Sequence, residues 1–173
     1  MIFVQWPLMV AALIPVIVVE VLVIRRWLPL SPRQAFTGIG KANLYSTVAG
    51  VPLAWGIMFL VEMAIMLPLG LAAMKFHWTL ESPISQVLSV IVGAAWEGPV
   101  EGQLYWIIPL AVTVLLVPSF FVSVRLERRS CLQAWPAADP VALHRGVYVA
   151  NLWSYGFLFF ICLRLDLLSA LHT

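Results

Sequence analysis

The run VYVANLWSYGFLFFICLRLDLL, Val147–Leu168, decides the fold. It has 22 residues, and a helix needs roughly 20 apolar residues to cross about 30 Å of hydrocarbon. Three other stretches pass the same test of length and polarity: Phe3–Ile24, about Val48–Met74, and Leu104–Val124. The chain of 173 residues is 62% hydrophobic and 10% charged, with a mean hydropathy of +0.98. Soluble domains sit near 45–50% apolar and about 25% charged, so this composition cannot supply a water-facing surface. The expected fold is an all-α integral membrane protein with four transmembrane helices and no separate soluble domain. A shorter apolar run, Ile84–Trp96, is bounded by Pro83 and by Gly98-Pro99. It is too short to span and is expected to be interfacial or re-entrant, lying between the second and third transmembrane helices.

Inside the opening run, Ala150-Asn151-Leu152-Trp153-Ser154 has a counterpart in Ala42-Asn43-Leu44-Tyr45-Ser46. Further landmarks recur in the same order. Pro15, Arg25 and Arg26 correspond to Pro118, Arg128 and Arg129 at an offset of 103, and Trp27 and Gly38 to Trp135 and Gly146 at an offset of 108. The chain therefore reads as one membrane domain, 1–173, built of two duplicated helical hairpins, about 1–74 and 104–173, joined by segment 75–103. Both hairpins run the same way, which predicts a pseudo-symmetric bundle about an axis along the membrane normal.

The first connection carries Arg25, Arg26, Arg33 and Lys41, and the third carries Arg125, Arg128, Arg129 and Arg145, together eight of the ten Lys and Arg residues. By the positive-inside rule both connections are cytoplasmic loops of a plasma or bacterial inner membrane, with both termini outside. No basic region precedes the first apolar run, so no cleaved signal peptide is expected. Arg25, Arg26, Arg125, Arg128 and Arg129 are placed to contact anionic lipid headgroups, at about 1 kcal/mol each. Basic residues so few and scattered give no nucleic-acid surface. Cys131 falls in the third connection and Cys162 in the outer half of the last helix, too far apart for a disulfide.

Charged and polar groups inside a span face the bundle interior or a cavity and need a partner or a purpose. Glu20, just over one turn before Arg25, either snorkels toward Arg25 and Arg26 or forms a cytoplasm-facing ligand or partner pocket with Asn43, Ser46, Asn151 and Ser154. The plain role of the two Asn/Ser pairs is to cap helix starts. Glu62 and Arg164 lie roughly 21 and 25 Å above the inner boundary at 1.5 Å per residue, which predicts an intramembrane charge pair. Ser46, Gly50, Ala54, Met58 and Glu62 recur every four residues, a stripe that lets a neighbouring helix approach closely.

No His falls within a predicted span, so neither haem nor a buried metal centre is expected. HExxH, G-x-S-x-G and P-loop patterns are absent. No catalytic residues, metal or cofactor are therefore assigned. Three functions remain. The leading one is a structural, accessory or assembly subunit that packs against another membrane protein or a second copy of itself. The others are a small transporter or channel using Glu20 or Glu62, and a lipid-modifying enzyme.

Overall fold

A computed structural model describes residues 7, 10–76, 87, 91, 93 and 104–170. Among them all regular structure is helical: α1 (Leu13–Ile24), α2 (Pro32–Tyr45), a π-helical turn (Ser46–Gly50), α3 (Val51–Phe76), α4 (Leu104–Ala134) and α5 (Pro140–Ala170). Three helices are long and apolar enough to cross a membrane: the continuous run Pro32–Ala72, then Leu110–Ala134 and Pro140–Arg164. The described part of the first predicted span is the shorter apolar helix Leu13–Ile24. Segment Ile84–Trp96 lies almost wholly outside the described residues.

The two basic connections are not loops. Arg33 and Lys41 lie on α2, Arg125, Arg128, Arg129 and the buried Cys131 on α4, and Arg145 on α5. An apolar run marks only the stretch a bilayer can cover, whereas a helix continues until its hydrogen bonding is stopped. At 31 residues each, α4 and α5 extend about 46 Å, well beyond roughly 30 Å of hydrocarbon. What separates the helices are two short turns, 25–31 and 135–139. Each ends in a cap followed by proline, which fits the first helical position because its missing N–H has no partner there anyway. Ser31 Oγ accepts from Gln34 N at 3.3 Å while Gln34 Oε1 accepts from Ser31 N at 3.1 Å, a reciprocal capping box. Asp139 accepts from Val141 N at 3.2 Å and Ala142 N at 3.0 Å.

The hairpins α1–α2 and α4–α5 interlock. The first helix of each packs on the second helix of the other, α1 on α5 and α4 on α2, while α3 packs on α4. The core at the turn end joins Ile24, Leu28, Ala35, Ile39, Cys131 and Leu143. Close approach there depends on two glycines. Gly38 lies under the indole of Trp135, and Gly146 faces Ile24 and Trp27.

Candidate functional site

Directly beyond this core layer, the interior turns polar. Glu20 on α1 and Glu127 on α4 are 1% and 2% exposed, and both carboxyl groups point into the bundle. Glu20 Oε2 accepts from Asn43 Nδ2 at 2.6 Å, and its Oε1 accepts from Ser154 Oγ at 2.6 Å. Glu127 Oε2 accepts from Asn151 Nδ2 at 2.6 Å, and its Oε1 accepts from Ser46 Oγ at 2.7 Å. Each carboxyl thus receives an amide from its own hairpin and a hydroxyl from the other.

Local helix geometry aims the donors. Residues three apart share a helix face, so Asn43 and Ser46 project together, as do Asn151 and Ser154. The second amide hydrogen of Asn43 goes to Ile39 O at 3.1 Å, and that of Asn151 to Val147 O at 3.1 Å. This tie to the carbonyl one turn back fixes the plane of each amide. Ser46 also opens the π-helical turn, which inserts an extra residue into the helix and resets its facing before α3 begins.

The five residues predicted to form a pocket, Glu20, Asn43, Ser46, Asn151 and Ser154, are brought together, although two of their expected plain roles are not observed. The asparagines are not helix caps, because α2 and α5 begin a full two turns or more earlier, at Ser31 and Asp139. Glu20 does not snorkel toward Arg25 and Arg26, which are exposed while it is buried. The residue that sequence reasoning missed is Glu127. Set in the run Arg125-Leu126-Glu127-Arg128-Arg129, it looks like one more charge of a solvated loop.

Glu62 and Arg164 are not brought together. Glu62 is buried on α3, which packs on α4, whereas Arg164 is exposed on α5. Equal depth does not imply adjacency: both helices pack on α4, and among the described residues α3 and α5 share no extensive contact. The stripe Ser46, Gly50, Ala54 and Met58 does serve close packing: Gly50 faces Leu126 and Val122 of α4, and Met58 packs on Ala111 and Leu115.

A cavity of about 10 Å³ adjoins Asn43, Ser46 and Glu127, with Ser123, Tyr155, Val16 and Leu158 on its wall. That volume suits one water molecule and nothing larger. Ser123 Oγ and Tyr155 OH are bonded at 2.8 Å, and Phe120 meets the Tyr155 ring edge-on at 5.4 Å. Tyr155→Phe removes that single bond and should cost about 1 kcal/mol of stability, seen as a small drop in the thermal unfolding midpoint in detergent. A much larger loss would mean that the phenol holds more of the site than Ser123 alone. Among the described residues, the buried amide oxygen of Asn151 has no hydrogen-bond donor. Comparison with known protein families, with characterised proteins and with solved structures finds no match to this chain.

Proposed function

We propose that the chain is a four-span membrane protein made of two copies of one hairpin, and that it acts as a structural or accessory subunit packing against another membrane protein. The observation that carries this reading is the closure of the Glu20–Glu127 site. Its carboxyl oxygens are taken up by Asn and Ser side chains of the same chain, and the adjoining cavity admits no more than a water. A site so filled is a brace between hairpins. The like partner sets of the two glutamates, and the shared cap-then-proline starts of α2 and α5, support duplication. The exposed arginines around both turns support their cytoplasmic placement.

The surface left for a partner is α3. Within the run Pro32–Ala72, 22% of the most apolar stretch is buried, against 44% for the other two long helices. Its outer face carries Leu60, Met63, Met66 and Leu67, and flexible methionines suit a helix that must accommodate a neighbour. A photocrosslinker at Leu67 is expected to capture one defined membrane protein in stoichiometric yield from native membranes, and the same protein should co-purify in mild detergent. Crosslinks to lipid alone, with a monodisperse single chain on purification, would overturn the accessory role.

A second reading is favoured by one observation, the position of Glu127 on a water-sized cavity beside Ser123 and Tyr155. A buried carboxyl group with access to a water can take up and release a proton, as intramembrane carboxylates do in transporters. In proteoliposomes, proton uptake that Glu127→Gln abolishes while leaving the fold intact would establish it. Uptake no different from empty vesicles would exclude it.

A further inference from the structure

We infer that α4 and α5 build a binding site for an anionic phospholipid, with Arg125, Arg128, Arg129 and His144 holding the headgroup. These four side chains line one open groove of about 590 Å³, and the remaining lining residues are Phe121, Val124 and Leu132. Arg125, Arg128 and Arg129 stand at spacings of three and four, so their guanidinium groups project from one face of α4. His144 closes the groove from the first turns of α5. No acidic residue lines it, and among the described residues none of the three arginines has an ion-pair partner. Three like charges on one face repel, so an anion seated among them is attracted by all three at once. Guanidinium forks suit the oxygen pairs of a phosphate.

Apolar walls select the lipid over a free anion. Phe121, 63% exposed, lies one turn from Arg125 toward the apolar middle of α4. An acyl chain attached to the bound phosphate would run along Phe121 and Val124, which inorganic phosphate has no use for. A separate groove between the two turns, lined by Trp27 and Leu28 of one and by Trp135 and Asp139 of the other, has no basic side chain. The site is assigned to Arg125, Arg128 and Arg129, which share one groove with His144, and not to Arg25 and Arg26, which do not line it.

Native mass spectrometry of the purified chain tests this with phosphatidylglycerol, phosphatidylcholine and inorganic phosphate as probes. One phosphatidylglycerol is expected to stay bound, with affinity about thirtyfold lower in R128Q/R129Q and unchanged in R25Q/R26Q, which removes the same charge. Phe121→Ala should weaken the lipid without adding charge, a check that does not depend on the arginine variant folding normally. Equal losses in the two double variants, equal retention of phosphatidylcholine, or displacement of the lipid by equimolar inorganic phosphate would each overturn the proposal.

Discussion

Glu127→Ala is expected to be the most damaging single substitution at the polar brace, lowering stability in detergent by about 3 kcal/mol. The carboxyl accepts from Asn151 on its own hairpin and from Ser46 on the other. Truncation leaves both donors facing a void, and a buried group that loses its partner costs about 1–3 kcal/mol. Each donor retains one backbone acceptor, Val147 O for Asn151 and Asn43 O for Ser46, both at 3.1 Å, which holds the loss per donor to the lower part of that range, and the two donors and the void together come to about 3 kcal/mol. Removing the carboxyl also removes the cost of burying it, a term of opposite sign. Glu127→Gln keeps the volume and one acceptor oxygen, so it should lose about 1 kcal/mol.

The ranking can be read from denaturation midpoints of purified protein, and a Gln variant as unstable as Ala would sink the brace. A sharper form uses coupling, since residues in one network show non-additive losses. Ser46→Ala should couple to Glu127→Ala, and Ser154→Ala to Glu20→Ala, each across the two hairpins. Additivity in both cycles would mean that the cross-hairpin bonds contribute nothing.

Composition and apolar run length suffice to read a helical membrane protein, because a bilayer imposes so few solutions on the backbone. The helix ends are not legible in that way. Hydropathy falls where the basic residues begin, while α2 and α5 start further out, at the caps of Ser31 and Asp139, which hydropathy does not register. The candidate pocket is legible because Asn and Ser in a repeated frame stand out against Leu and Val. Glu127 is hidden by its arginine neighbours and by an alignment that places Arg128-Arg129 on Arg25-Arg26, which sets Glu127 opposite Ile24. The structure separates Glu20 from Asn43 by 23 positions and Glu127 from Asn151 by 24. A search for Glu, then Asn, then Ser three further on, allowing a slip of one, finds both halves of the site. The Glu62–Arg164 pair fails for a different reason, since depth along a helix says nothing about which helices are neighbours.

The largest effect away from the brace is expected at Gly38. A Cβ built there collides with Cζ2 of Trp135 and comes within 2.9 and 3.0 Å of two more indole atoms. One face of the indole packs against a core layer containing Ala35, Ile39 and Cys131, all 1% exposed or less, so the ring cannot shift without loosening that layer. Overpacking of this kind costs about 1–3 kcal/mol, and Gly38→Ala should fall near the upper end. Gly146→Ala should cost less, because the nearest atom, at 2.6 Å, is Cδ1 of Ile24, the movable end of a side chain. Gly40 lies two residues along the same helix, and no atom stands within 4 Å of the place its Cβ would take. Gly40→Ala should therefore be neutral or gain up to about 1 kcal/mol from helix propensity. Trp135→Leu in the Gly38→Ala background should restore part of the loss, so that the double variant is more stable than the sum of the singles. Equal unfolding midpoints for Gly38→Ala and Gly40→Ala would show that α2 and the second turn are not pressed together, and the interlocked arrangement of the hairpins would have to be abandoned.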